Sequence, residues 1–261
     1  MRWQNLVTKA IAEFYSLLQL PSTIPSGLRI LIYHAVESPV YEDHLGLNTI
    51  KVNLFNEHIK LLSKMEVIPL LPLKIAQHKM QVVITFDDGY ADNLKIAAPI
   101  LAENNLPFTV FVTTEFIRNK KSGFLTPDEL KELSLIPGVT IGSHTSTHPH
   151  LTSCNNEKLV GELEESKLYL EDLLGQAINA IAYPYGDVDM RVRDAALQAG
   201  YEVGTGSRVD INRIDRDHLM LNRCFILGSD SPRILNQKLK GGWDWYRWRN
   251  YDPLLKVNPS N

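Results

Sequence analysis

The chain has 261 residues, 44 % of them hydrophobic, and a formal net charge of −3 at pH 7. This length and apolar content suit one large α/β barrel or two small domains with a sizeable buried core. The nearly balanced charge gives no general argument for a nucleic-acid partner, and we expect none. Cys154 and Cys224 lack the spacing of a metal or redox pair, so we expect free thiols.

The N-terminal segment carries apolar side chains at helical spacing rather than in one unbroken run. It predicts an amphipathic helical extension over residues 1–27. Glu13, Gln19 and the lack of a small-residue cleavage site argue against a secretory signal, and the apolar content is too short to cross a bilayer. We therefore expect a cytoplasmic protein without a transmembrane span. The helix either packs on the rest of the fold or contacts the inner face of the cytoplasmic membrane peripherally.

Apolar runs alternate with segments of helical periodicity along the rest of the chain. This alternation favours parallel strands closed into a barrel, and no interior linker or repeat divides it. We predict one barrel domain over residues 28–240. The strand-like runs lie at about 28–33, 67–71, 82–86, 108–113, 138–142, 179–183, 201–204 and 222–226.

The clearest predicted helix runs from Asn156 to Leu174, and Gly175 is its natural stop. We expect its acidic residues Glu162, Glu164 and Glu165 to face away from the apolar stripe. Other helices are predicted near 53–65, 93–104, 127–135 and 189–199.

Two polar motifs follow predicted strands. Asp87 and Asp88 come directly after the β-branched run 82–86, and His144 and His148 follow the run 138–142. A divalent ion is commonly held by three oxygen and nitrogen side chains with a water in the open position, and a further carboxylate can take a proton from that water. Alone, Asp-Asp-Gly also fits a tight turn. Together, the motifs predict a metal site that performs hydrolysis.

These residues carry a family resemblance. The segment 85–90 resembles the first motif of the polysaccharide deacetylases of the NodB-homology type, and 144–148 resembles their second. The segment 181–186 is similar to the Pro-aromatic-Gly motif that forms one wall of their active site. Tyr33-His34 is similar to the branch in which a Tyr-His pair opens the domain. The resemblance covers about residues 28 to 227.

The resemblance implies a distorted (β/α) barrel with seven or eight parallel strands. It also implies that Asp88, His144 and His148 hold the metal, that Asp87 is the general base, and that the backbone N–H of Tyr185 helps to stabilise an oxyanion. A metal-bound water would then attack the carbonyl carbon of an N-acetyl group. We expect Zn²⁺, although Co²⁺, Ni²⁺ or Fe²⁺ also suit these ligands.

Two positions depart from the family pattern. Ala182 stands where many members have an Arg that pairs with the base, and Arg223 stands where a late His usually supplies the general acid. His34 and His218 are candidates for that acid, and each also fits a structural histidine. Arg223 pairs either with a site carboxylate or with surface acids. The residues expected to contact substrate are Tyr183, Pro184, Tyr185 and Arg223.

A Trp-rich tail over residues 241–261 ends the chain. Its aromatic residues alternate with arginines and could stack on sugars, sit at a membrane interface or cover the barrel. These aromatic residues are Trp243, Trp245, Tyr246 and Trp248.

The sequence predicts a metal-dependent deacetylase that acts on the N-acetylhexosamine of a polysaccharide or a lipid-linked glycan. A lipid-linked acceptor would explain an amphipathic helix at one end and an aromatic-basic tail at the other. The alternatives are a catalytically impaired carbohydrate-binding barrel and a metal hydrolase that acts on another amide or an ester. The oligomeric state stays open.

Overall fold

The computed structural model describes residues 26–41, 43–249 and 252–254. The predicted N-terminal amphipathic helix lies outside the described residues, as does the end of the Trp-rich tail. The domain boundaries at 27 and 240 stay predictions. Within the described ranges, no helix is both long and apolar enough to span a bilayer.

The described residues form nine strands: β1 (Gly27–Tyr33), β2 (Ala35–Val36), β3 (Thr49–Ile50), β4 (Met80–Phe86), β5 (Phe108–Val112), β6 (Val139–Ser143), β7 (Ala180–Ala182), β8 (Val203–Thr205) and β9 (Cys224–Phe225). Seven of them form one parallel sheet in the order β8-β7-β6-β5-β4-β1-β9, and β2 pairs with β3 in a small second sheet. The predicted distorted barrel of parallel strands in a single domain is therefore confirmed.

The chain just before β9 closes the curled sheet. Leu221 donates its backbone N–H to Gly204 (2.9 Å) and accepts from Gly206 (2.8 Å), and Leu31 in β1 is the register partner of Cys224. This short segment therefore links the two edge strands. It brings Arg223 toward the end of β4, which lies two strands from β9 in the sheet order.

The helices cover the outside of the sheet. They are α1 (Val52–Leu62), α2 (Ala98–Glu103) with a π-helical turn before it (Asn93–Ala97), α3 (Thr114–Arg118), α4 (Pro127–Ser134), α5 (Asn156–Leu174), α6 (Met190–Gln198) and α7 (Pro232–Leu239). One apolar cluster packs them against the sheet. A second cluster on the opposite face contains Leu28, Ile30 and Val83. All seven residues of β4 are buried, as its β-branched sequence predicts.

The predicted strand at 67–71 is wrong. Only Val67 forms a bridge, with Val82, and Ile68 donates one further hydrogen bond to the carbonyl of Val82. The run contains Pro69 and is followed by Pro72. A proline has no backbone N–H to donate to a ladder, so the pairing stops where the first proline begins.

Helix α5 has the predicted bounds. Asn155 caps its N-terminus by accepting from the N–H of Lys158, and Gly175 ends it with a left-handed φ of 66°. The expectation for its acids is wrong at Glu162, which is buried on the same face as the leucines, whereas Glu164 and Glu165 are exposed.

The described part of the Trp-rich tail packs on the barrel. Trp243 is buried, and Asp244 accepts two hydrogen bonds from the fully buried guanidinium of Arg29 in β1. Tyr246 contacts Phe225 edge to face, whereas Trp248 is 79 % exposed. Hydrophobic cover is therefore the observed role of Trp243 and Tyr246. Both cysteines are buried and free.

Candidate active site

The candidate site lies at the carboxyl ends of the strands, where α/β barrels carry their chemistry. His34 follows β1, Asp87 follows β4 and His144 follows β6. These three side chains line a cavity of about 580 Å³ together with Tyr185 and Arg223. The structure therefore brings together residues that are far apart in the sequence.

Asp88, His144 and His148 form a cluster that could hold a divalent cation. The Nε2 atoms of His144 and His148 are 3.2 Å apart, and each lies 3.5 Å from Oδ1 of Asp88. The Nδ1 of His144 donates to the carbonyl of Ala182 (2.8 Å), which leaves Nε2 with a lone pair. One carboxylate oxygen and two imidazole nitrogens are a donor set that suits zinc and similar transition metals.

The pKa of His148 also fits a ligand role. Burial lowers this pKa, the neighbouring His144 lowers it further, and Asp88 offsets only part of the effect, so it falls to about 4. A histidine binds a metal through its neutral form. His148 is therefore in the ligand-competent form over the whole neutral range.

Asp87 stands outside the cluster and has a different partner. Arg223 forms a two-pronged ion pair with it, from Nη1 to Oδ1 and from Nη2 to Oδ2, each at 2.7 Å. Burial by itself raises the pKa of Asp87, but Arg223 and His144 lower it more, and the result is about 2. Oδ2 of Asp87 lies 4.0 Å from Nε2 of His144. An ionised carboxylate thus lies beside the three-donor cluster.

Arg223 itself is fully buried and held on several sides. Its Nε donates to the carbonyl of Gly206 (2.8 Å), and Nη1 also donates to the hydroxyl of Thr85 (3.2 Å). Of the two partners left open by the sequence, the structure therefore selects the site carboxylate. Position 182 holds alanine, and the arginine that pairs with Asp87 is Arg223, which precedes β9.

His34 lines the cavity and is half-buried. Its Nδ1 is buried and has no hydrogen-bond partner within the described part of the chain. The carbonyl of His34 accepts from the side-chain amide of Asn93 (2.9 Å), which fixes the backbone where β1 ends. The side chain is thus presented to the cavity while the main chain is anchored.

Tyr185 forms one wall of the cavity. It adopts a left-handed φ of 59°, and its ring stacks on His150 at 4.0 Å and contacts the ring of His148 edge to face at 4.7 Å. The hydroxyl of Ser207 donates to its carbonyl at 3.1 Å. About half of the Tyr185 side chain stays exposed to the cavity and solvent.

Three sequence-based expectations need correction. Tyr183 cannot contact substrate, because its side chain is fully buried and its hydroxyl donates to the carbonyl of Leu219 (2.9 Å). Pro184 is also buried and lies outside the cavity lining. His218 is exposed and lines a separate surface cavity beside Arg193, so it is no candidate for the acid.

Glu162 was not predicted as a site residue, but it contacts the loop between the two histidines. The sequence did contain a sign of this contact. Glu162 falls three residues after Leu159 and four before Ser166, which places its carboxylate on the buried face of α5. A charged residue on an apolar helical face usually has a specific buried partner.

The fold and site together define a class of protein: an α/β barrel whose cavity holds a three-donor cluster beside a separate buried carboxylate. Comparison with known proteins specifies the family. A family profile for polysaccharide deacetylase matches residues 74–204. YxkH of Bacillus subtilis (strain 168), named as a polysaccharide deacetylase, is 30 % identical over 209 residues, which cover 76 % of this chain and 71 % of YxkH. The chain therefore belongs to the polysaccharide deacetylase family.

Further relatives agree. The peptidoglycan-N-acetylglucosamine deacetylase of Bacillus cereus is 27 % identical over 190 residues, which cover 70 % of this chain and 64 % of that protein. Among solved structures, the Streptococcus pyogenes deacetylase PplD in complex with acetate matches with a TM-score of 0.73 and 28 % identity. That match covers 82 % of this chain and 99 % of the PplD chain.

Proposed function

We propose that the protein is a metal-dependent deacetylase that hydrolyses the N-acetyl group of an N-acetylhexosamine in a polysaccharide or glycolipid. The observation that carries the proposal is that two neighbouring carboxylates have different partners. Asp88 lies with His144 and His148, whereas Asp87 is held by Arg223. Family membership supports a carbohydrate acetyl group as the substrate. We propose zinc as the ion, and cobalt, nickel or iron would suit the same donors.

A divalent cation held by Asp88, His144 and His148 would polarise the acetyl carbonyl and acidify a water molecule. We assign to Asp87 the proton of the water that attacks the carbonyl carbon. Arg223 keeps Asp87 ionised and fixes both of its oxygens, so the carboxylate is ready to accept this proton. We assign to the backbone N–H of Tyr185 a hydrogen bond to the oxyanion that forms.

The reaction ends when the C–N bond breaks and the amine leaves with a proton. We propose His34 as the donor of that proton, because it lines the same cavity. Acetate and a free amino sugar are the products. A barrel that only binds carbohydrate has no use for a buried Asp87–Arg223 pair beside a ligand cluster, so this pair argues against a purely binding role.

Acetate release tests the proposal. Purified protein is incubated with chitotetraose and, separately, with peptidoglycan fragments, before and after treatment with a chelator and then with added zinc. We expect release from at least one N-acetylated glycan, loss of release on chelation and recovery with zinc. Release that is unchanged by complete metal removal, or no release from any N-acetylated glycan by zinc-loaded protein, would contradict the proposal. Whether the natural glycan is lipid-linked stays a prediction.

A further inference from the structure

Helix α5 presents a buried carboxylate to the loop that carries both candidate histidine ligands. Glu162 is only 5 % exposed and lies on the apolar face of the helix. Its Oε2 accepts the backbone N–H groups of Ser146 (3.0 Å) and Thr147 (2.8 Å), and its Oε1 accepts the hydroxyl of Thr147. One side chain therefore satisfies three donors between His144 and His148.

The loop needs outside support because its backbone is strained. Thr145 and His148 both have left-handed φ values, of 67° and 63°, which non-glycine residues rarely adopt. Such conformations persist only where the surroundings hold them. Ser146 and Thr147 lie between the two strained positions, and Glu162 accepts both of their backbone N–H groups.

The next turn of α5 holds the other end of the same loop. The hydroxyl of Ser166 lies 2.8 Å from that of Ser143, the residue before His144. The hydroxyl of Ser143 in turn accepts the N–H of Thr145 at 3.0 Å. Helix α5 thus fixes the chain on both sides of His144. Its polar contacts to this loop come from Glu162 and Ser166.

We propose that Glu162 is a positioning residue that sets the distance between the Nε2 atoms of His144 and His148 before a metal arrives. These atoms are 3.2 Å apart. The inference rests on the metal site of the proposed function. Three hydrogen bonds to the buried carboxylate of Glu162 would preorganise His144 and His148, which Glu162 does not itself contact. Partners of this kind typically change metal affinity by about 10- to 100-fold.

The test compares Glu162→Leu, Glu162→Gln and Glu164→Leu. Leucine suits the apolar face of the helix but leaves the three donors unpaired, whereas glutamine keeps an acceptor oxygen of the same reach. Glu164→Leu is the matched control, since Glu164 is an exposed acid on the same helix. Two quantities are measured: the zinc dissociation constant by competition with a chromophoric chelator, and hydrogen exchange of the peptide over residues 143–150 in the metal-free protein.

We expect Glu162→Leu to bind zinc about 10- to 100-fold more weakly and to exchange the loop amides at least tenfold faster. Glu162→Gln and Glu164→Leu should stay within about threefold of the wild type in both measurements. Zinc binding within threefold of the wild type by folded Glu162→Leu, with unchanged exchange, would overturn the positioning role and leave the proposed function standing. A wild-type protein that binds no zinc would overturn both.

Thr147→Val keeps the inference testable if Glu162→Leu does not fold. It removes only the hydroxyl that donates to Glu162 and leaves the helix unchanged. We expect zinc binding to weaken about three- to tenfold with unchanged secondary structure. This loss of affinity is smaller than that expected for Glu162→Leu, because only one of the three hydrogen bonds is removed. Zinc affinity and loop exchange equal to those of the wild type would overturn the role of Glu162.

Discussion

At the level of single residues, the different partners of Asp87 and Asp88 give them different chemistry. Asp88 has a left-handed φ of 73°, so the chain turns between the two side chains. One carboxylate then faces the imidazoles of His144 and His148, and the other faces the guanidinium of Arg223. A ligand must give its lone pair to a cation, whereas a base must keep its own free for a proton. Under the proposed function, two adjacent positions thus take these two roles.

Asp87→Asn separates metal binding from turnover. The amide cannot accept a proton in the hydrolytic step, so we expect kcat to fall by about 10²- to 10⁴-fold. The zinc content should stay at the wild-type value, because Asp87 is not one of the three clustered donors. Acetate release and bound zinc are measured on the same sample. Loss of zinc together with activity would show that Asp87 is a ligand instead.

Arg223→Met tests the buried ion pair. Removing one partner leaves the carboxylate of Asp87 buried without compensation, so we expect the free energy of unfolding at pH 7 to fall by about 3–5 kcal/mol. The double variant Asp87→Asn/Arg223→Met removes the buried charge as well and should recover part of the loss. Urea unfolding measures both variants. If the double variant were no more stable than Arg223→Met, a specific ion pair between Asp87 and Arg223 would be contradicted.

The same pair has a defined pH dependence. The pKa of Asp87 is lowered in the folded state, from 3.8 to about 2, because Arg223 and His144 outweigh the opposing effect of burial. The stability that it contributes is therefore fully present above about pH 4 and is lost as the pH falls toward 2. Working conditions near neutrality leave the pair intact.

At the level of elements, the site is built on turns that follow strands and adopt unusual backbone conformations. Left-handed φ values occur at Asp88, Thr145, His148 and Tyr185, each within three residues of another residue that lines the cavity. Packed neighbours hold these turns: Glu162 holds the histidine loop, and the His150 ring stacks on Tyr185. The strands set where the turns begin, and packed neighbouring side chains hold their shape.

Asp92 gives an element-level prediction. It is 3 % exposed where the chain passes from β4 to the π-helical turn, and it accepts the N–H of Ser38 (3.1 Å) after β2. Burial raises the pKa of Asp92 to about 6, and its hydrogen bonds offset only part of that rise. The folded state therefore binds this proton more tightly than the unfolded state, and stability falls as the pH rises from about 4 to about 6.

The expected size of this loss is about 3 kcal/mol, because the shift is about two pH units. Asp92→Asn cannot ionise, so its free energy of unfolding should change less over that range. Urea unfolding at pH 4, 5, 6 and 7 measures the slope for both proteins. Equal slopes would mean that Asp92 is not responsible for the loss.

Some elements were predictable because their information is local. The run 82–86 is β-branched and apolar without alternation, as expected of a buried strand, and Gly175 is the natural stop of α5. The run 67–71 was misread because hydrophobicity outweighed the effect of its proline. Glu162 was misplaced because its partners lie fifteen and sixteen residues away in a loop whose shape the sequence does not reveal.

At the level of the whole molecule, metal binding should raise stability, because a ligand that binds only the folded state shifts the unfolding equilibrium. At zinc concentrations about 100 times the dissociation constant, the gain is about 2.7 kcal/mol. For a chain of this size we expect the melting temperature to rise by about 5–10 °C. His144→Ala should show no rise, whereas His218→Ala, in a separate surface cavity, should behave like the wild type. A full rise in His144→Ala would contradict the ligand assignment.

The Asp87–Arg223 contact shows the limit of prediction at this scale. The four polar residues of the two motifs could be found because each pair is close in sequence. Arg223 lies 136 residues beyond Asp87, and the segment that closes the sheet between β8 and β1 brings the two together. The sequence left two partners open for Arg223, a site carboxylate or a surface acid. The topology places Arg223 against the site carboxylate Asp87.

That closure has a practical consequence for anyone who trims or transplants this catalytic unit. The segment that matches the family profile, residues 74–204, retains Asp87 and the three clustered donors but omits His34 and Arg223. A fragment cut at those limits would also lose β1, the neighbour of β4. Asp87 would lose its counter-ion Arg223, so we expect a graft of that segment alone to be inert.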